Sequence, residues 1–356
     1  MTLNQFSINY AVFLICLTML IGCSEHNTHD LEAATFTVSP IDLSNVRGSI
    51  PLGNLNPPGH TFPTDHIYFS FADASTYPPP YEVRAVADGE IIWILYHRQE
   101  WNPESGHTGT FNDYKVVFRH TPTLQSYFGH VAEFTPEILH AVGTLQEGGN
   151  TIHLKVKAGD LIGYTGGRPR TIYAFDFGVV DASITLKGFI NPSRYPEDTL
   201  HCASPFDYFA EPLKAQLLAK NPRTLEPRGG KIDFDIDGRL VGNWFLENTT
   251  DNYEWSRHLA FVYDNLHPTE IRVAIGGILA LSPGVYGVRG NAPDPKSVDG
   301  STGRVKYELV NARDGQSRGI LLVQVRDERT IQVEVFPDKS PDDVFDFTAN
   351  AKIYVR

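Results

Sequence analysis

The chain of 356 residues is poor in cysteine, with only Cys16, Cys23 and Cys202. The first two fall in or at the end of an apolar leader, so the body keeps Cys202 alone and can form no internal disulfide. A protein exported without bridges must rely on its own core, and Cys202 reads as a small buried hydrophobe rather than a nucleophile. Positive charge is also scarce: 30 Lys and Arg stand against 42 Asp and Glu, a formal charge of −12. That balance excludes nucleic acid and anionic membrane surfaces as main partners and favours neutral or cationic ones. Hydrophobic residues make up 41% and aromatics 12%, which excludes global disorder. The apolar run Ala11 to Ile21, broken only by Thr18, is too short for a membrane span and has the length of a signal-peptide core. No internal repeat is evident.

That leader ends in Leu20-Ile21-Gly22-Cys23, which resembles a lipobox. The resemblance implies a signal peptide over residues 1–22 and a diacylglyceryl group on Cys23, tying the chain to a membrane through lipid. The residues before Ala11 depart from the pattern, because they carry no Lys or Arg. Ser24 is not Asp, which by similarity to Gram-negative lipoproteins favours the periplasmic face of the outer membrane. Residues 23–44 are polar and aperiodic and read as a tether.

The rest divides by pattern. Residues 45–220 carry short alternating runs separated by turn signals such as Asp88-Gly89 and Gly166-Gly167. Strands are expected over Ile67 to Phe71, Tyr81 to Ala87, Glu90 to His97, Tyr114 to Arg119, Gln125 to His130, Leu161 to Tyr164 and Tyr173 to Val180. Helices are expected at Thr135 to Ala141, with Pro136 in the first turn, and at Asp207 to Lys220. Residues 221–230 hold two prolines and two adjacent glycines and read as a linker. Residues 231–356 are almost all alternation: KIDFDID, LVGNWFLE, HLAFVYD, TEIRVAIGG, GRVKYELV, GILLVQVRD, TIQVEVFP and AKIYVR. Eight such runs at regular spacing predict an antiparallel barrel or sandwich. Gly242-Asn243-Trp244 resembles the Gly-x-Trp of lipocalin-like barrels, where the Trp plugs one end; a filled interior is the commoner outcome for such a barrel than a ligand cavity.

The segment from Pro57 to Asp181 carries the chemistry. It reads PPGHTFPTDHIYF, then VRAVADGEIIWI, then YKVVFRH and LQSYFGH, then VKAGDLIGYTGG, then TIYAFDFGVVD. This order resembles the lysostaphin-type (LytM-type) zinc metallopeptidase domain of bacterial peptidoglycan endopeptidases, and the resemblance covers about a third of the chain. It implies an antiparallel β-sheet domain, so the whole chain is expected to be mostly β. It also implies a site of three zinc ligands in the order His, Asp, His, with two further histidines for catalysis.

By that resemblance His60 stands at the first ligand. The family's Asp position falls on His66, just ahead of Ile67-Tyr68-Phe69, and Asp65 is left to cap the turn or to orient a ligand. Neighbours on a strand point to opposite faces, so Asp65 and His66 cannot easily share one ion. The run Tyr127-Phe128-Gly129-His130-Val131 resembles the family's Tyr-x-His-Leu strand, which makes His130 the catalytic candidate. The family's His-x-His strand reads Ala174-Phe175-Asp176, which leaves Ala174 at a catalytic histidine position and Asp176 at a ligand position. Exchanging His and Asp between neighbouring strands keeps two His and one carboxylate, a set that holds zinc, or less specifically iron or manganese. His120 reads as structural, and His153 as a candidate replacement reaching in from a loop.

Three readings follow. One is an envelope metallopeptidase-like hydrolase of peptidoglycan cross-links. Another is an inactive homologue, a lipoprotein that binds peptidoglycan or regulates an envelope hydrolase; Ala174 favours it. The last is a carbohydrate-binding or structural β-module with incidental histidines, which the Tyr-x-x-His strand and the Gly-Asp-Leu-Ile-Gly turn disfavour.

Overall fold

Strand alternation in the first half produces one large antiparallel sheet in the computed structural model, which describes residues 35–356 apart from 74, 75, 171 and 313. The leader and Cys23 lie outside the described residues, and among those residues no helix is long and apolar enough to cross a membrane. The ten strands are β1 (Val46–Ile50), β2 (Ile67–Phe71), β3 (Tyr81–Arg84), β4 (Gly89–Glu100), β5 (Thr110–Arg119), β6 (Leu124–Phe134), β7 (Gly148–Val156), β8 (Leu161–Thr165), β9 (Ala174–Asp181) and β10 (Cys202–Ala203). Their main order is β1-β2-β9-β6-β5-β4-β7. The period of two decides the faces. Ile67, Phe69, Phe71, Phe128, Phe175 and Phe177 go into one aromatic-rich core. Tyr68, Gly129 and Asp176 are therefore left on the opposite face, and the register sets Asp176 between Tyr68 on one side and Gly129 on the other.

Three strands of this sheet were not expected from the sequence. β1 and the two-residue β10 are short, and β7 begins with Gly148-Gly149, which reads as a turn until pairing with β4 fixes it. The first helix forms where expected, as α1 (Pro136–Val142) with Thr135 accepting the Ile138 amide at 3.3 Å. The long helix expected over Asp207 to Lys220 does not. A 3₁₀ turn at Pro205–Tyr208 ends first, and after α2 (Glu197–Leu200) the next α-helix is the short α3 (Leu213–Ala219). Pro212 has no amide to continue a helix through it.

The C-terminal half closes into an eight-stranded antiparallel barrel rather than a sandwich. Its strands are β11 (Gly242–Leu246), β12 (His258–Tyr263), β13 (Ile271–Ile275), β14 (Gly284–Arg289), β15 (Arg304–Asn311), β16 (Ser317–Asp327), β17 (Thr330–Phe336) and β18 (Lys352–Val355). KIDFDID is not among them. Its carboxylates serve as caps instead: Asp233 accepts the Gly188 amide at 3.0 Å, and Asp235 the Asn243 amide at 2.8 Å. β14 takes the place in the barrel, masked in the sequence by Gly284 and Gly287. The interior is filled by Trp244, Leu259, Phe261, Tyr307, Leu321 and their neighbours. Trp244 donates to the Leu240 carbonyl at 2.8 Å and lies under the Arg356 guanidinium at 3.7 Å, a packing role.

Sheet and barrel meet along a tight seam. Residues 221–230 form a strap pinned by buried Arg223, which donates to the Leu225, Pro227 and Asn265 carbonyls. The run HLAFVY of β12 is buried on both faces: Leu259 and Phe261 point inward, while Ala260 and Val262 pack outward against Leu55, Phe62 and Phe234. A strand covered on both sides reads as a continuous apolar run.

Candidate functional site

Three of the four marked side chains converge on the outer face of β2, β6 and β9. His66 precedes β2 by one residue and so shares the face of Tyr68, whose partner across the ladder is Asp176. His66 Nε2 lies 3.6 Å from Asp176 Oδ2, and His130 Nε2 lies 3.4 Å from the same oxygen. His60 stands in the loop between β1 and β2, with its ring centre 5.5 Å from that of His66 and the planes at 72°.

Each flanking imidazole is held from behind by a carboxylate. Asp65 Oδ1 is 3.0 Å from His66 Nδ1, so Asp65 orients His66, one of the two roles open to it from sequence. Asp65 is fixed in turn by the Thr199 hydroxyl at 3.0 Å and the Tyr127 hydroxyl at 3.2 Å. Gly178 makes this possible, because any Cβ there would run into the Tyr127 ring. Asp113 Oδ2 is 3.0 Å from His130 Nδ1, and Gln99 donates to the same Asp113 oxygen at 2.5 Å. The outcome is an unbroken row: Asp113, His130, Asp176, His66, Asp65.

The backbone aims His130 into this row. Its φ is +63°, in the left-handed region. Tyr114 pairs with Val131 and Val116 with Phe128, so Gly129 and His130 together oppose Lys115. That is a β-bulge, which bends the strand and redirects a side chain. Thr165 secures it by donating to the His130 carbonyl at 2.6 Å. Gly129 leaves room for Asp176, since a Cβ at that position would lie 2.9 Å from Oδ2.

The electrostatics follow from the row. Burial opposes charge on His130, but Asp113 and Asp176 outweigh it and push its pKa up to about 10. Burial likewise lowers His66, and Asp176 with Asp65 more than restores it, leaving the pKa raised. His60 moves the other way, because burial and the nearby His66 lower its pKa. Burial would raise Asp65, yet the His66 hydrogen bond and charge hold its carboxyl well below the usual range. Burial and Asp176 push the Tyr68 hydroxyl up, so it stays protonated.

The donors suit a metal ion by type and orientation. His66 Nε2 and Asp176 Oδ1 are buried and make no hydrogen bond, which costs free energy unless something else satisfies them. Adjacent donors on a tetrahedral ion with bonds of ~2.0–2.1 Å stand ~3.3 Å apart, near the 3.6 Å between His66 Nε2 and Asp176 Oδ2. The Asp65 carboxylate behind His66 is the arrangement that fixes a ligating imidazole. Among the described residues, no group of three or more His, Cys, Asp or Glu side chains is already gathered at ion-holding spacing.

Other candidates lie elsewhere. His120 bonds the Asp88 carbonyl at 2.9 Å and Ser126 at 2.8 Å, a structural role. His153 is on β7 rather than a loop and pairs with Glu90 at 3.1 Å, so it does not replace the histidine missing at Ala174. Ala174 faces Ser70 across the ladder and brings no acid or base. Sequence reasoning missed Asp113, Tyr68 and Arg168. Arg168 is buried over the Phe111 ring at 4.6 Å, one residue from Asn112, whose carbonyl it bonds at 3.2 Å. None of the three carries a local signal; Asp113 reaches His130 only across the bulge.

No protein-family model matches the chain, and no curated protein matches it. Among solved structures, the NMR solution structure of lysostaphin is similar over 79% of this chain and 88% of that one, at 13% identity and a TM-score of 0.24. A likeness at that score carries no argument about this chain.

Proposed function

We propose that the chain is an envelope lipoprotein that holds a zinc-class ion at His60, His66 and Asp176 and hydrolyses peptide cross-links of peptidoglycan. The observation that carries the reading is the pair of orphaned buried atoms, His66 Nε2 and Asp176 Oδ1, on side chains that approach to 3.6 Å between His66 Nε2 and Asp176 Oδ2. When bound, an ion of this class polarises a carbonyl and acidifies water. The chain's own groups do the rest. Asp65 fixes the tautomer and aim of His66. His130, kept protonated by Asp113 and Asp176, presents Nε2–H as a donor to an oxyanion developing on the substrate carbonyl. Lipid on Cys23 would keep the site at the membrane that faces peptidoglycan.

Ala174 favours a second reading, in which the same site holds peptidoglycan, or an envelope hydrolase, without cutting. A single missing acid–base group typically costs 10²–10⁴-fold in rate. The deciding experiment is elemental analysis of the full chain beside His66→Ala and Asp176→Ala. About one equivalent of metal, lost in both variants, supports the site; peptide release from purified peptidoglycan then separates the two readings. Metal indifferent to both substitutions, or no metal, would sink the proposal.

A further inference from the structure

We infer that the C-terminal barrel is part of the candidate site: its outer face braces the loop that carries His60, and Phe62 is the positioning residue. The inference rests on the reading of His60 as a donor, but the brace itself does not depend on a metal.

The loop between β1 and β2 is the least regular part of the site, yet it is fastened at every step. Asn265 donates to the Pro51 carbonyl at 3.2 Å, and the Leu52 amide donates to Gly229 at 3.0 Å. His60 closes a small hairpin, with the Asn56 amide donating to its carbonyl at 2.8 Å and its own amide to Asn56 at 3.0 Å. The next two residues are committed to the barrel. Thr61 is buried, and its hydroxyl lies 3.3 Å from the Trp255 carbonyl. Phe62 stacks on His258 of β12, with ring centres 4.1 Å apart and planes at 4°, and meets Phe245 of β11 edge-on at 5.0 Å.

His258 is suited to this role and to little else. Its ring is buried, and Nε2 has no hydrogen-bond partner. It offers Phe62 a flat neutral face. His130 and Asp176 sit on sheet strands and His66 adjoins one, whereas His60 rides on a loop held against the barrel. The barrel thus sets the position of one of the three proposed ion donors.

The test uses the full chain with Phe62→Ala, Phe62→Leu, His60→Ala, the Phe62→Ala/His60→Ala double variant, and His258→Phe. Phe62→Leu keeps volume without the ring, in case the alanine variant does not fold; His258→Phe keeps the stack. In metal-free protein, amide exchange at Asn56 and His60 should speed up about tenfold or more in both Phe62 variants, with β6 and β9 amides unchanged. Zinc affinity, measured by chelator competition, should fall about 10–100-fold, as for groups that support a ligand. In the His60→Ala background the same Phe62 change should cost nothing further. His258→Phe should preserve both. Unchanged exchange at Asn56 and His60, unchanged zinc affinity, or equal zinc loss with and without His60 would overturn the inference. If the parent chain takes up no zinc, the proposed function fails and the exchange rates alone decide the brace.

Discussion

Inside the barrel, three buried polar tips find backbone carbonyls: Trp244 reaches Leu240 at 2.8 Å, Tyr286 reaches Ser282 at 2.7 Å and Tyr307 reaches Pro293 at 2.8 Å. On the outer face of β2, β6 and β9, five titratable side chains stand in a row and two of their buried atoms find nothing. Both regions are antiparallel sheet built on a period of two. The barrel spends its inward positions on volume, while the sheet face gathers groups whose mutual electrostatics are costly unless a ligand or proton resolves them. Where a protein leaves polar atoms unsatisfied is therefore more informative than where it buries many.

Breaking the barrel side gives the largest expected effect. Trp244→Ala should cost ~3–5 kcal/mol, read as a shifted urea midpoint at constant slope; a cost below ~1 kcal/mol would mean the interior is not a packed core. On the sheet side, Asp176→Ala should weaken zinc binding by more than the ~100-fold upper range of supporting groups, measured by chelator competition, with a much smaller change in the urea midpoint.

The two regions should also differ in the sign of their pH dependence. In metal-free protein His130 has a folded pKa of about 10, above its unfolded ~6.5. Its contribution is complete below ~6.5 and is lost as pH rises through about 10. At the seam, burial and Arg194 push His258 down to about 3. Here the unfolded chain binds the extra proton, so stability is lost as pH falls from ~6.5 toward 3. Urea titrations across pH should show the alkaline loss flattened by His130→Gln and the acid loss flattened by His258→Phe. A single variant flattening both limbs would contradict the separation. The smallest expected effect is His153→Ala: on the exposed edge strand β7, it should change stability by no more than ~0.5 kcal/mol and leave zinc binding unaltered.

Much of this was legible in the residues. Alternation gave the strands of the inner sheet and seven of the barrel's eight, because a half-buried strand writes its faces into the sequence. The assignment of His66 and Asp176 to one face followed from counting along β2 and β9. Where reading failed, the cause was tertiary. KIDFDID alternates because its aspartates cap distant amides. β7 is a strand only because β4 pairs with it. Asp113 was invisible because its partner lies on another strand, beyond a bulge that no local pattern announces. The all-apolar HLAFVY was a visible sign of a two-sided contact; what covers its outer face could be learned only from the fold.

The bulge at His130 has a further consequence. Left-handed backbone is more comfortable for glycine than for histidine, so the chain and the site want different residues at one position. Histidine is tolerated there because Asp113 and Thr165 anchor both ends of it. Stripped of those anchors, position 130 would become a place where the protein gains ease of folding by giving up its imidazole. Selection for stability alone and selection for the row of charged groups would then pull this residue in opposite directions.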